Sequence, residues 1–379
     1  MESYLKTYEL TFRTLSPVFI GSGNSIGKKE YIYERFANRI LIPDMDKMFE
    51  GLKKHKLLKQ YGDYMVRDMV RENDDLFQFL KDHQIPKSEY TSWCSRVEKV
   101  GDIDLASRSV KDISTFVKDP YGNPYVPGSS IKGMFRNAFM TYWILENKEL
   151  QKKYADKIKA ARRNNRKNYL SWEVKELNVD VFHKNRRKNT KIEDKVNDIM
   201  AGFRVLDSEP ISPKNLCLYQ KVDLKTDGSR RELEMRECIK PGTDISFTVT
   251  IDTKLFPSYK KGMMKKVIRI FWENYEREFM SCFKSCPKIP DGKYLLFLGG
   301  GVGYPSKTVT YSIVHGREGI SQVSKILDAM LSGEIKKQHA HRSDLQKGAS
   351  PHVLKCTVYQ EELVQMGICK IQKLKVVEQ

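Results

Sequence analysis

Two glycine-bearing segments carry the residues best suited to chemistry. They are Pro124-Tyr125-Val126-Pro127-Gly128-Ser129-Ser130-Ile131-Lys132-Gly133-Met134-Phe135-Arg136 and Leu298-Gly299-Gly300-Gly301-Val302-Gly303-Tyr304-Pro305-Ser306-Lys307-Thr308. Glycine lets backbone N–H groups approach an anion, a following helix turns its positive end toward it, and Lys or Arg adds full charge. Both segments therefore suit phosphate. Gly128, Ser129 and Ser130 would open a helix on which Lys132 and Arg136, four apart, share one face. Gly299, Gly300, Gly301 and Gly303 precede Lys307 in the later loop.

Other chemistries fit these residues less well. Gly301 to Thr308 nearly spells a nucleotide-binding phosphate loop, but Ser306 replaces the glycine that must adopt a special backbone geometry. Ser129 and Lys132 stand in an S-x-x-K frame without the Ser-Asp-Asn and Lys-Thr-Gly partners of penicillin-recognising enzymes. None of His55, His83, His183, His315, His339, His341 and His352 is singled out by its neighbours as the general acid or base of a ribonuclease. Cys282 and Cys286 could begin a zinc site with His339, His341 or His352, yet no second pair at finger spacing follows. No metal or cofactor is expected, and the seven scattered cysteines read as reduced thiols.

Composition favours a polyanionic partner. The 379 residues carry 67 Lys and Arg against 48 Asp and Glu, a net charge of +19, which points to RNA or DNA. No apolar run is long enough to span a bilayer, and the first residues lack the pattern of a secretory signal, so a cytoplasmic protein is expected.

The elements that must position these residues alternate in two rounds of strands then helices. Tyr8 to Leu15 reads as a strand broken by Pro17 and Gly21-Ser22-Gly23-Asn24; Tyr31 to Glu34 and Arg39 to Ile42 read as a hairpin. Asp44 caps a helix, a second helix ends before Pro86, Lys111 to Val117 is extended, and a helix starts at Gly128. Residues 151–195 hold 15 Lys or Arg against 6 Asp or Glu. This basic stretch is either a solvated linker or a backbone-binding face using Arg162, Arg163, Arg186, Arg187 and Lys188 with Tyr169 and Trp172 between. Strands then follow at Phe203 to Leu206, Leu216 to Leu224, Glu232 to Cys238 and Asp244 to Asp252, with helices from Lys260 to Phe283 and from Ser306. The expected class is α+β.

Tyr125 to Arg136 closely resembles the signature of the RAMP superfamily of CRISPR effector proteins. Pro17-Val18-Phe19-Ile20-Gly21-Ser22-Gly23, the late glycine loop and Ser350-Pro351-His352-Val353-Leu354-Lys355 agree with it, so the resemblance spans the chain. It implies two tandem ferredoxin-like, RRM-related domains with helical insertions: 1–150, a basic helical connector at 151–200, and 201–379 with the glycine loop. It further implies a non-catalytic, crRNA-binding subunit of a type III-A (Csm) complex. Such a subunit caps the backbone filament at the crRNA 3′ end and assists crRNA maturation in antiviral defence. The implied partners are crRNA, target RNA in the assembled complex, other Csm subunits, chiefly the backbone RAMP subunit, and host nucleases that trim the 3′ end. Gly21, Ser22 and Gly23 would add backbone donors, with Lys28 and Lys29 on the adjoining loop. Target-cleaving relatives carry an aspartate after the first strand, whereas Asn24 to Tyr33 holds only Glu30 as an acid. The alternative within the resemblance is a metal-independent crRNA-processing endoribonuclease.

Overall fold

Alternation of buried and exposed residues makes Leu5–Thr14 a strand, and its inward residues Tyr8, Leu10 and Phe12 place it at the centre of a sheet. The structure is a computed structural model that describes residues 4–67, 75–101, 111–161, 168–284, 287 and 289–377. From edge to edge, the first sheet runs Leu295–Phe297, Ile368–Val377, Leu5–Thr14, Asp244–Asp252 and Phe203–Val205. All of its neighbours are antiparallel, with Leu10 opposite Phe247 on one side and Leu374 on the other.

A second sheet runs Glu362–Gln365, Val353–Tyr359, Leu216–Lys225, Arg230–Ile239, Ile113–Phe116 and Gly21–Ile26. Among the paired strands of this sheet in the described residues, Ile113–Phe116 and Arg230–Ile239 run parallel and the others antiparallel. The α+β class is as expected, and both sheets draw strands from 1–150 and from 201–379. Residues 148–160 and 171–182 of the expected connector are helices that bury Tyr154, Ile158, Leu177 and Phe182 in the main core. Arg186, Arg187, Lys188 and Trp172 remain exposed, while Arg162 and Arg163 lie outside the described residues.

An insertion between Gly21–Ile26 and Ile113–Phe116 has its own core. The strands Ile32–Glu34, Arg39–Pro43 and Cys94–Lys99 pair, and short helices cover one face through Leu52, Tyr61, Tyr64, Phe79 and Trp93. Asp44 caps the helix Met45–Lys54 by accepting from the Lys47 N–H, as the sequence indicates. The other face joins the second sheet through Tyr31, Ile40, Leu218 and Met235.

The helix Gly128–Glu146 is the spine of the site. Ile131, Phe135, Ala138 and Phe139 recur at helical spacing and are buried. Phe135 lies 5.0 Å from Phe203 and Phe139 5.3 Å from Phe256, ring centre to ring centre. Burial of each such ring contributes about 1.5–3 kcal/mol, so an apolar stripe holds the helix while Ser129 and Gly133 near its start stay exposed. Two element boundaries depart from the sequence reading. Gly21–Ile26 is an edge strand rather than a break, and beyond Gly303 the chain turns until the short helix Thr310–Ile313, followed by Gly316–Met330 and three further strands.

Candidate nucleic-acid interface

The chain approaches the Gly128 helix along a backbone ladder. The Ile211 N–H donates to Pro124, the Ser208 N–H to Val126, and the Val126 N–H returns to the Ser208 hydroxyl, at 2.7–2.9 Å. The first helical N–H, that of Gly128, donates to Asp207 Oδ1 at 2.8 Å. Gly128 is buried, and a Cβ there would come within 2.4 Å of the Val205 carbonyl oxygen. Its glycine serves close packing, and a carboxylate already occupies the helix end expected to receive phosphate. Ser129 and Gly133 are exposed beside it, and Ser130 is half-buried.

The late loop arrives from the opposite side. Phe19 forms a backbone bridge with Gly300, whose N–H donates to the Phe19 carbonyl at 2.6 Å. Gly299 has φ +87°, and a Cβ there would lie 2.2 Å from that same oxygen. Gly299 and Gly300 thus use their bare backbone to reach Phe19, which commits the Gly300 N–H within the protein. The Ser306 hydroxyl donates at 2.9 Å to the Val302 and Gly303 carbonyls and closes the turn. Asn137 Nδ2 donates to the Lys307 carbonyl at 2.9 Å, which ties the loop to the helix.

These contacts enclose a cleft of about 530 Å³. Gly21, Ser129, Ser130, Arg136, Gly299, Gly300 and Lys307 all line it, over an apolar floor that includes Ile20 and Phe297. The three segments singled out in the sequence therefore meet at one place. Lys307 reaches solvent, and the surrounding protein lowers its ammonium pKa by partial burial.

Other expected residues lie elsewhere. Ser22 and Gly23 sit on the exposed edge strand, where the Ser22 hydroxyl meets that of Thr115 at 2.6 Å. Lys28 is exposed beyond it. Lys29 donates to the Tyr64 and Met65 carbonyls at 2.9 and 3.1 Å and to that of Arg67, so it caps a helix end rather than facing the cleft. Gly301 packs beneath Arg236, and Gly303 opens toward Lys355. Lys132 and Arg136 do not share a free face. Arg136 pairs with Asp198 at 2.8 Å, donates to Asn178 and lies 3.9 Å over the Phe182 ring. Lys132 is half-buried, and burial lowers its pKa against the pull of Asp198.

A second cavity of about 680 Å³ escaped the sequence reading because its residues come from distant strands and loops. Arg96, Lys99, Lys118, Lys214 and Lys240 line it around Glu98 and Glu237. Glu237 accepts from Arg96 at 3.1 Å, from Lys118 at 2.6 Å and from the Phe116 N–H at 2.8 Å. Burial, then the neighbouring charge of Glu237 and their shared hydrogen bond, pushes the Glu98 carboxyl up to about 8.

The late histidines converge on an acid rather than on cysteine. Asp344 accepts from Nδ1 of His341 at 2.9 Å, Nδ1 of His352 at 2.6 Å and the Ser350 hydroxyl at 2.7 Å. Burial raises the Asp344 pKa, and these donors more than offset it, so it lies below the usual range. Their ligating atoms fall within 4.8 Å of one another, but Lys347 Nζ stands 3.2 Å from His352 Nε2 and opposes a second cation. The Cys282 thiol turns instead to the Glu278 carbonyl, and Cys286 lies outside the described residues. Among the described residues, no histidine lines the cleft. Nor is any helix long and apolar enough to cross a membrane.

Comparison with known proteins adds a full-length likeness. The profile of the RAMP superfamily matches residues 11–299. The chain is 30% identical over 98% of both chains to the CRISPR system Cms protein Csm5 of Mycobacterium tuberculosis. It is 26% identical over 97% of both to the Enterococcus italicus protein of that name. Among solved structures, a chain of a Csm-crRNA-target RNA ternary complex of a type III-A CRISPR-Cas system superposes with a TM-score of 0.62. It is 16% identical, with 96% of this chain and 100% of that one covered. The crystal structure of T. onnurineus Csm5 gives 0.58 at 16% identity, covering 95% and 100%.

Proposed function

The chain belongs to the RAMP superfamily, and from that membership we propose that it is the subunit of a type III-A Csm complex that holds the 3′ part of the crRNA. The observation that carries the reading is the cleft itself. The end of the first-strand segment, the start of the Gly128 helix and the late glycine loop come together around Ser129, Ser130 and Lys307. Hydroxyls and one reachable ammonium bind phosphate and ribose without reading base edges. A surface that must serve every guide sequence needs that tolerance. In this position the subunit caps the backbone filament, and its protection of the RNA shapes the mature 3′ end. Neighbouring Csm subunits and target RNA are its partners in the complex.

The subunit does not cut RNA in this reading. The Glu30 carboxylate accepts from the Gly27 N–H and closes a turn, and His341 and His352 are engaged by Asp344. The purified protein should bind single-stranded RNA of unrelated sequences with similar affinity, and binding should weaken steeply with salt. Fluorescence anisotropy across a salt series checks this. Salt-independent binding, or cleavage of repeat RNA in EDTA, would overturn it.

A further inference from the structure

An apolar pocket of about 350 Å³ opens beside the cleft and shares Arg136, Asn137 and Lys307 with it. Its walls come from Tyr154 and Ile158, from Tyr169 and Leu170, and from Tyr304 and Ile313. We infer that this pocket receives one unstacked nucleobase of the RNA whose phosphates lie in the cleft, an inference that rests on the RNA-binding reading above. The size lies at the lower end of the range for small-ligand sites, suited to a single flat ring. Position supports the same occupant: a phosphate held by Lys307 leaves its own base within reach of the shared rim.

The amides and hydroxyls of Asn137, Asn178, Tyr304, Thr308 and Thr310 in the wall are already engaged. Asn178 accepts from Arg136 and donates to the Val174 carbonyl, and Asn137 donates to the Lys307 carbonyl. The Thr308 hydroxyl donates to the Tyr304 carbonyl, and those of Thr310 and Tyr304 meet at 3.0 Å. The pocket therefore grips a base by its faces rather than by its edges. This matches a guide whose sequence varies.

Val174 and Met330 both line the pocket and are each about half exposed, so either position accepts a larger side chain without disturbing the core. The test compares a short single-stranded RNA with an abasic oligomer of equal phosphate number, on the intact protein and on Val174→Trp and Met330→Trp. The intact RNA should bind roughly tenfold more tightly than the abasic one, as expected for stacking a single base. Both plugging variants should erase that difference and leave the salt slope unchanged. Equal binding of the two oligomers with a normal salt slope overturns the base pocket alone, as does a difference that survives both folded variants. Absence of salt-dependent binding to either oligomer overturns the phosphate reading beneath it.

Discussion

The two glycine segments look alike in the sequence and do different work in the fold. Each is anchored at its leading glycine: Gly128 against the Val205 carbonyl and Gly299 against that of Phe19. Beyond that anchor they diverge. The earlier segment becomes a helix and presents Ser129 and Gly133 to the cleft, whereas the later one uses the Gly300 N–H on Phe19 and brings Lys307. One wall offers hydroxyls and the other offers charge. A glycine cluster thus marks two separate needs, close approach of foreign backbone and exposure of its own, and only the fold tells them apart.

The strongest way to break this comparison is to add a methyl group at either anchor. Gly299→Ala combines a left-handed φ with a contact of 2.2 Å to backbone and should cost about 3 kcal/mol or more. Gly128→Ala meets backbone at 2.4 Å and should follow closely. Urea midpoints near wild type for both would mean that these glycines are not anchors.

Arg136→Ala should cost about 2 kcal/mol, since it strands Asp198 and uncovers Phe182. Lys132→Ala, which removes no hydrogen bond named above, should stay within about 0.5 kcal/mol. Equal losses would restore the shared face expected from their spacing.

A pH series separates the anchors from the remote carboxylate pair. Because Glu98 titrates near 8 in the fold against an ordinary value of 4.5, the folded state holds an extra proton between those limits. Its stability should therefore fall as pH rises from 5 to 8. Glu98→Gln should flatten that slope, while the loss in Gly299→Ala should not change with pH.

The mildest substitutions address the open wall. Lys307→Ala should leave the thermal midpoint unchanged and reduce the salt slope of RNA binding by about one. Gly133 has no atom within 4 Å of an added Cβ, so Gly133→Ala should stabilise the helix by about 0.5–1 kcal/mol. The same methyl group faces the cleft and should weaken RNA binding, a split between stability and affinity that calorimetry and anisotropy would record.

Local pattern made much of this legible. The strands at 5–14, 216–225, 230–239 and 244–252 and the helices at 128–146 and 263–278 lie where periodicity places them. Pairing partners were not legible, because strand alternation says which face is inward and nothing about which neighbour supplies the hydrogen bonds. Gly21–Ile26 hid for a related reason: as an exposed edge strand of small polar residues it has no apolar alternation to detect. The three segments of the cleft could be named individually, but Asp207 at the Gly128 helix end lies 79 residues away in sequence. Lys29 gave no sign that it would cap a neighbouring helix. The pocket beside the cleft is made by residues from several separate helices and a loop, a juxtaposition that only packing creates.

The place of the first strand carries a consequence for biosynthesis. Leu5–Thr14 leaves the ribosome early, yet one of its two neighbours is Ile368–Val377, and Ser16 receives the Ile368 N–H across 352 residues of chain. Leu295–Phe297, which carries the cleft floor, pairs with that same late strand. Closure over such a distance is slow to find, though the entropic cost grows only gently with length. A nascent chain halted before Ile368 keeps one strand edge open and leaves Phe297 without its sheet neighbour. The cleft floor therefore cannot take its final place in the sheet until the last strand has been made.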